Sequence, residues 1–242
     1  MSSNYLIECS NLIANTASSR ALTQGIDLKV ESGEIIVLTG AEKSGKNDWL
    51  KTMSGIFYPV SGSINYFGKN SRKFSNDERS QLREKIAYVT TDVNLLSVIN
   101  GLANVMLPAI YHKLGTIDEI RDIALDLISE LGIDDGLELL PADMHNEQRF
   151  LLMVARSLML KPRILFLEKP FCSLDTVSSE HFKNFLKHLA KQKNTTIIIS
   201  TQDINFIRQY ADQVVYVSLD KLFSFASADD FLNCNHTQIT TF

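Results

Sequence analysis

The stretch Ile164-Leu-Phe-Leu-Glu-Lys-Pro-Phe-Cys-Ser-Leu-Asp175 decides the fold. Its continuous apolar run at 164–167 predicts a strand that is buried on both faces. A second run of this kind spans Thr196–Ser200, and segments with helical periodicity lie between and after the two. Buried runs that alternate with helices predict a parallel α/β architecture.

Length and composition exclude several classes of protein. The 242 residues are 45% hydrophobic, which is enough to bury the core of one domain or of a domain with an insertion. The 24 basic and 28 acidic residues are interspersed, so no basic stripe indicates a nucleic-acid partner. Because no apolar stretch is long enough to span a bilayer, we expect membrane association only through a partner.

The helical segments are not evenly distributed along the chain. From about 101 to 160 the pattern is helical almost throughout, between predicted strands at 86–90 and 164–167. We therefore predict a helical subdomain inserted at about 92–160. The remainder of residues 1–221 forms the same single domain, and 222–242 forms a short C-terminal helical tail.

A glycine-containing loop predicts a phosphate site. Gly40-Ala-Glu-Lys-Ser-Gly45-Lys46-Asn47 follows a predicted strand, opens a helix and has the spacing G-x-x-x-x-G-K. The final residue of that pattern is normally a Ser or Thr whose hydroxyl binds magnesium, and Asn47 offers only an amide oxygen. Asp48 places a carboxylate at the helix N-terminus. This carboxylate interacts with the helix dipole and the free backbone N–H groups that would otherwise favour a phosphate.

Further motifs follow in a fixed order along the chain. They are Ser32-Gly-Glu34, Tyr88-Val-Thr-Thr-Asp92, Asn104-Val-Met-Leu-Pro108, Ala155-Arg-Ser-Leu158 and Ser173-Leu-Asp175. With the two stretches above, they make residues 7–220 resemble the nucleotide-binding subunits of ATP-binding-cassette (ABC) transporters. The resemblance implies an α/β P-loop NTPase fold with a RecA-like core, an N-terminal β subdomain and an inserted helical subdomain. It also implies ATP and magnesium as ligands, held between two such subunits that attach to a transmembrane partner.

The positions that the resemblance assigns to catalysis are altered. Glu168 keeps the first acid of the family's strand, but Lys169 stands where the second acid should polarise the attacking water. A protonated amine accepts no proton, so the ordinary general base is missing. Thr91 replaces a glutamine that links magnesium to the transmembrane partner, and Gln202 replaces a histidine that senses the γ-phosphate.

The nucleotide contacts that the resemblance implies are altered as well. They fall on Gly40, Lys43, Gly45, Lys46, Asn47, Asp48 and Thr16. Lys43 replaces a glycine beside the phosphates, and Thr16 replaces an aromatic ring whose stacking on a base contributes about 1–3 kcal/mol. We expect MgATP binding to be weak or absent, although Gly40, Gly45, Lys46 and the D-loop residue Asp175 are retained.

The signature loop is the most altered motif. Family members have Leu-Ser-Gly-Gly-Gln, and the aligned residues are Met144, His145, Asn146, Glu147 and Gln148, of which only Gln148 is kept. Glu147 puts an anion at the start of a helix, which favours the helix but repels a phosphate. We also expect Lys46 and Lys169 to lie near Glu168 and Asp48, in a closed group of charges where MgATP would sit.

Three functions remain open from the sequence. The favoured one is a degenerate subunit, or pseudo-ATPase, that acts as a cytoplasmic scaffold or regulator on the inner face of the cell membrane, in a homo- or heterodimer. The stretches 104–108 and Ser227-Ala-Asp-Asp-Phe231 resemble lipid-trafficking branches, including Mla/Mce-type transport. The alternatives are a slow but genuine ATPase that uses Glu168 and a water relay, and a soluble regulatory module.

Overall fold

We describe the fold from a computed structural model, which describes residues 5–15, 25–92, 94–133, 135–218 and 222–234. The strands are β1 Ile7–Ile13, β2 Ile26–Val30, β3 Ile35–Thr39, β4 Ser61–Tyr66, β5 Lys69–Asn70, β6 Ile86–Val89, β7 Ile164–Glu168, β8 Thr196–Ser200, β9 Gln213–Val217 and β10 Leu222–Phe225. The α-helices are α1 Lys46–Met53, α2 Asn76–Lys85, α3 Gly101–Tyr111, α4 Ile117–Glu130, α5 Asn146–Leu158, α6 Thr176–Lys191, α7 Ile204–Tyr210 and α8 Ala228–Leu232.

Two sheets organise the chain. A four-stranded antiparallel sheet has the order β2-β1-β4-β5, and a six-stranded sheet has the order β10-β9-β3-β8-β7-β6. In the larger sheet β9, β3, β8, β7 and β6 run parallel, while β10 pairs with β9 in the antiparallel direction. The α/β class and the parallel core expected from the apolar runs are therefore confirmed.

The apolar strands are continuous because the large sheet is covered on both faces. In β3, Ile35 and Val37 join the core that contains the middle helices, whereas Ile36 and Leu38 pack with Trp49 and the small sheet. Side chains alternate between the two faces of a strand, so a strand covered on both sides needs apolar residues at every position. This arrangement explains why all five residues of β3, β7 and β8 are buried.

The middle helices α3, α4 and α5 lie in the chain between β6 and β7, inside the segment predicted as an insertion. Helix α4 begins at a capping box, in which the Thr116 hydroxyl and the Glu119 carboxylate each accept a backbone N–H. Its buried residues Ile120, Ala124 and Ile128 recur every four positions, and they face the core shared with α3 and α5.

The tail differs from its predicted helix at its first residues. Leu222–Phe225 form a strand on β9, and the helix there is Ala228–Leu232. Leu222 is buried in the core that contains Ile36, Leu38 and Trp49, and the segment pairs with the edge strand β9 of the large sheet. Among the described helices, none is both long and apolar enough to cross a membrane.

Candidate functional site

The predicted site residues lie where parallel strands end. β3, β8, β7 and β6 run in the same direction, so the loops that follow them meet at one edge of the sheet. These loops carry the glycine-containing loop 40–45, Gln202, Lys169 and Thr91, respectively. The topology therefore brings four separated motifs to one edge.

The glycine-containing loop has the shape that a phosphate loop needs. Gly40 has φ of +140°, and a Cβ there would lie 2.0 Å from the Val217 carbonyl oxygen. Gly45 has φ of +86° and starts helix α1 in the left-handed region, which glycine adopts without a Cβ clash. The Gln202 side-chain amide donates to the Gly40 carbonyl at 2.9 Å, so the residue in the expected histidine position holds the loop itself.

Two lysines of the predicted site meet on one carboxylate. Lys46 is only 1% exposed; its Nζ donates to the Ala41 carbonyl at 3.0 Å and lies 3.6 Å from Glu42. Lys169 Nζ donates to the other oxygen of the same carboxylate and forms an ion pair with it. Burial lowers the pKa of Lys46, and the hydrogen bond from Lys169 lowers the pKa of Glu42. We call Lys46, Lys169 and Glu42 the charge triad.

The charge triad borders a cavity of about 230 Å³. Its other lining residues are Phe171, Cys172, Thr201, Gln202 and Asp203. The Asp203 carboxylate is already engaged by Lys183 Nζ at 2.7 Å. Lys183 also lies 2.7 Å from the Glu180 carboxylate, so Lys46, Lys169 and Lys183 together face three carboxylates.

The expected partners of these lysines were partly wrong. Glu168 lies at the same edge but pairs with other groups: the Tyr88 hydroxyl donates to it at 2.6 Å, and Lys51 Nζ lies 3.4 Å away. Burial and the hydrogen bond to Glu168 both raise the pKa of Tyr88. Asp48, the other expected partner, lies in the first turn of α1.

The backbone aims the Lys169 side chain at the loop. Lys169 has φ of +46°, a left-handed conformation that is uncommon for residues with a Cβ. Its N–H donates to both the carbonyl and the hydroxyl of Ser200 at the end of β8, each at 3.1 Å. Pro170 then starts a short 3₁₀ turn. These contacts hold the strained residue in place and direct its amine toward Glu42.

The two residues in expected magnesium positions are arranged differently from each other. The Asn47 Oδ1 atom is buried and has no hydrogen-bond partner. Thr91 lies half-buried in the loop after β6. Across the part of the chain that the structure describes, no group of three or more His, Cys, Asp or Glu residues is placed to hold a metal ion.

The signature-loop residues begin helix α5 and bind within their own chain. Met144 is buried in the core, and the His145 N–H donates to the Gln148 side chain at 3.0 Å. The Gln148 amide donates to Asp135 at 2.6 Å, and Asn146 accepts a hydrogen bond from Arg149. None of these contacts needs a glycine at this loop.

Glu147 joins two helix N-termini. Its carboxylate accepts from the Ser178 hydroxyl and from the Asp175 N–H, the latter at 3.5 Å. Asp175 itself accepts the Ser178 N–H at 2.8 Å to cap α6, and this hydrogen bond lowers its pKa. The carboxylate in the signature loop is thus held against the D-loop of the same chain, at the helix ends where an anion is favoured.

Sequence reasoning missed Glu42, Tyr88 and Lys51. Glu42 was detectable, since it is the acidic residue inside the phosphate loop, four positions before Lys46. Tyr88 and Lys51 carry no comparable signal. They precede Glu168 by 80 and 117 positions in the chain and come close to it only in the folded structure. Thr16, the residue in the expected stacking position, lies outside the described residues.

The fold and this edge of the sheet define a class of protein, a phosphate-loop α/β cassette with an inserted helical subdomain. A family model described as ABC transporter matches residues 23–172, and the chain belongs to that family. It is a nucleotide-binding domain of the kind that serves a membrane transporter and pairs with a transmembrane subunit.

Individual relatives resemble the chain over nearly its whole length. The phosphonates import ATP-binding protein PhnC of Treponema denticola is 27% identical, covering 94% of this chain and 91% of that protein. The lipoprotein-releasing system ATP-binding protein LolD of Wigglesworthia glossinidia brevipalpis is also 27% identical, covering 92% and 98%. A dimeric structure of the ATP-binding cassette MJ0796 bound to ADP and Pi aligns with a TM-score of 0.81 at 22% identity, covering 91% of this chain and 98% of that one.

Proposed function

We propose that this chain is a degenerate ABC nucleotide-binding subunit, a pseudo-ATPase that acts as a scaffold or regulator of a membrane transporter. The observation that carries the proposal is the charge triad, because Glu42 joins Lys46 to Lys169 at the place where a terminal phosphate and its attacking water would have to sit. Both lysines of the phosphate site are therefore already paired with a carboxylate of the chain itself.

The acid–base chemistry of hydrolysis lacks a base in this arrangement. Lys169 stands where a carboxylate would take a proton from water, and its amine donates a hydrogen bond to Glu42 and forms an ion pair with it. Glu168 is a carboxylate, but one of its oxygens already accepts the Tyr88 hydroxyl and pairs with Lys51. Loss of general-base help alone reduces a rate by about 10² to 10⁴.

The residues present do not fit a magnesium ion. The Asn47 oxygen that replaces the ligand hydroxyl is buried, and Asn47 is not among the residues that line the cavity beside the charge triad. The retained acid, Glu168, is 8% exposed and has Lys51 3.4 Å away, so a cation would have to compete with an amine. We therefore expect magnesium to add little to any nucleotide affinity.

The signature loop supports the same conclusion for the second half of a shared site. In a dimer of this family, the signature loop of one subunit faces the phosphate of the other. Glu147 carries a negative charge at that position and is held there by Ser178 and Asp175. A homodimer would have two altered sites. In a heterodimer with an intact subunit, one site would contain the altered phosphate loop of this chain and the other its altered signature loop.

A docking role is supported by a groove beside the helical subdomain. Two adjoining hollows, of about 510 and about 230 Å³, share Arg83, Ile86 and Tyr88, and the smaller also reaches Pro108 and Arg156. The groove is lined by residues of α2, β6, α3 and α5. We propose that a cytoplasmic segment of the transmembrane subunit binds there.

The cargo is the finer part of the proposal. The stretches 104–108 and 227–231 favour a lipid or lipoprotein, and LolD is named for lipoprotein release. PhnC, named for phosphonate import, is equally identical, so this part of the proposal rests on the two stretches.

A phosphate-release assay on the purified full chain tests the central proposal. We expect no release above background with MgATP, and the Lys46→Ala variant provides the background because it removes the phosphate-binding amine. Release that is present in the parent and absent in Lys46→Ala would instead support the slow ATPase, which the retained Lys46 and Glu168 favour. Co-purification with a polytopic membrane protein separates a transporter subunit from a soluble module, which would elute alone.

A further inference from the structure

A second cavity lies at the edge of the large sheet opposite to the charge triad. It has a volume of about 490 Å³, which is in the size range of small-molecule sites. Its walls come from α4, the ends of α5 and α6, and the loops that precede β7 and β8. Lys169 follows the other end of β7, so this strand of five residues, roughly 15 Å long, separates the two sites.

The inner walls of the second cavity are apolar. Leu158 and Leu189 are buried in the core of the middle helices, and Leu127 packs against that core. Ile123 also lines the cavity and is 39% exposed. An apolar group that entered the cavity would remove this surface from water, and that removal is favourable.

The rim of the second cavity carries more positive than negative charge. The charged residues of its lining are Lys161, Arg163, Lys193, Asp126 and Glu130. Lys193 and Glu130 pair with each other at 3.3 Å. Among the described residues, no ion pair involves Lys161, Arg163 or Asp126. Two cations are therefore left with one carboxylate, and the rim keeps one positive charge.

A further cation lies beside Arg163. The Lys85 amine and the Arg163 guanidinium both lie over the Phe67 ring, 5.4 and 6.0 Å from its centroid. The Arg163 N–H also donates to the Lys85 carbonyl at 2.8 Å, which fixes the two residues next to each other. This neighbour adds to the positive charge at the rim and does not offset it.

Thr195 supplies a hydrogen-bonding group to the same cavity. The residue is 7% exposed, and its N–H donates to the Leu189 carbonyl at 3.1 Å, which holds it in the lining. Within the part of the chain that the structure describes, no residue hydrogen-bonds to its hydroxyl. A hydroxyl in a nearly buried residue is costly to leave without a partner, so a ligand that bonds to it would be favoured.

We propose that the second cavity binds a small amphiphilic anion, which is an alkyl or aryl group that ends in a carboxylate. The apolar part packs on Leu127, Leu158 and Leu189, and the carboxylate accepts from groups at the rim. The charge of the rim sets the sign, because a carboxylate neutralises the unpaired cation whereas an amine would add to it. The ligand would contact both the inserted subdomain and the rest of the domain. This site does not depend on the proposed loss of hydrolysis.

Titrations of the full ¹⁵N-labelled chain, followed by two-dimensional amide NMR, test the proposal with a matched series of probes. Octanoate, 1-octanol and octylamine share an alkyl chain and differ in charge, and acetate supplies the carboxylate alone. We expect octanoate, with about ten non-hydrogen atoms, to bind with a Kd of about 1 mM. Two exposed charge contacts should make it about 2- to 30-fold tighter than 1-octanol. Octylamine and acetate should not saturate, and the shifted amides should include Ile123 and Thr195 but neither Lys46 nor Lys169.

Two variants, each with a matched control, separate the apolar wall from the charged rim. Ile123→Glu should abolish octanoate binding, because it places a carboxylate in the cavity; Ile117→Glu changes an exposed residue of the same helix outside the lining and should leave binding unchanged. Lys161→Gln should remove most of the preference for octanoate over 1-octanol. Lys113→Gln is its control, since Lys113 also follows a helix, with φ of +53° against +49° for Lys161.

Three results would overturn the inference: no saturable octanoate binding by the parent chain, equal affinity for 1-octanol or octylamine, and amide shifts centred on the charge triad. Unchanged octanoate binding by Ile123→Glu would contradict it as well. Circular dichroism shows whether each variant folds. If Ile123→Glu does not fold, the exposed Lys161 decides the question, because an unchanged preference for octanoate in Lys161→Gln would equally exclude the site.

Discussion

Replacing Tyr88 by phenylalanine tests whether Glu168 is held as a structural group. The substitution removes the hydroxyl that donates to Glu168 at 2.6 Å and keeps the ring, which packs on Phe166 with centroids 6.4 Å apart. A hydrogen bond to a charged acceptor contributes about 1.5–3 kcal/mol, and Glu168 is only 8% exposed, so solvent cannot replace the lost donor fully. We expect the free energy of unfolding to fall by about 1.5–3 kcal/mol.

Urea unfolding at neutral pH measures this loss, and thermal unfolding should show a decrease of about 3 to 12 °C for a chain of this size. A double-mutant cycle with Glu168→Leu, which removes the acceptor oxygens, isolates the coupling between the two side chains from the separate cost of each change. Tyr111→Phe is the matched control, because Tyr111 is 78% exposed and the same hydroxyl is removed without burial.

A coupling energy below about 0.5 kcal/mol would refute the reasoning, since this is the range expected of residues that do not interact. In that case Glu168 would be free to serve as a ligand or base. The slow-ATPase alternative would then gain support, because its carboxylate would no longer be engaged.

Three further predictions concern the site and its scaffold. Lys169→Glu should not restore phosphate release, because the magnesium positions and the signature loop stay altered; turnover by this single variant would show that Lys169 alone blocks hydrolysis. Burial raises the pKa of Cys9 to about 12 from an ordinary value of 9.0, so its stabilising contribution is complete below pH 9 and is lost as the pH rises toward 12. Cys9→Ala should therefore flatten the loss of unfolding free energy in urea titrations between these pH values, and an unchanged slope would contradict the assignment. Gly40→Ala should cost about 3 kcal/mol or more in the same assay, because the new Cβ would meet the Val217 carbonyl oxygen at 2.0 Å with φ at +140°; a fully stable variant would contradict the loop geometry.

Much of the fold could be predicted because its signals are local. The runs at 164–167 and 196–200 are apolar at every position, and only strands covered on both faces require this. The helices of the insertion show their buried residues at regular spacing, as Ile120, Ala124 and Ile128 do in α4. The segment 222–225 was mispredicted because a short strand at the edge of a sheet depends on its neighbour β9 rather than on a pattern of its own.

The sequence was sufficient to locate the site but not to predict which charged side chains pair there. Motif spacing places Lys46 and Lys169 after parallel strands, and parallel strands end at one edge, so their proximity followed from topology. Which carboxylate they share did not follow, because Glu42, Glu168 and Asp48 are all acids within reach of that edge. The choice depends on the path of the exposed loop 41–43 and on the left-handed backbone at Lys169.

By itself, the sequence determined the class of fold, the order of its motifs and the chemical types of the altered side chains, since these depend on residue identity and spacing. Only the tertiary structure decided that Glu42 joins the two lysines, that Tyr88 and Lys51 hold Glu168, and that Glu147 binds the start of α6. The physical reason is that ion pairs and hydrogen bonds act over a few ångströms, so their partners are set by how distant segments pack and not by their separation along the chain.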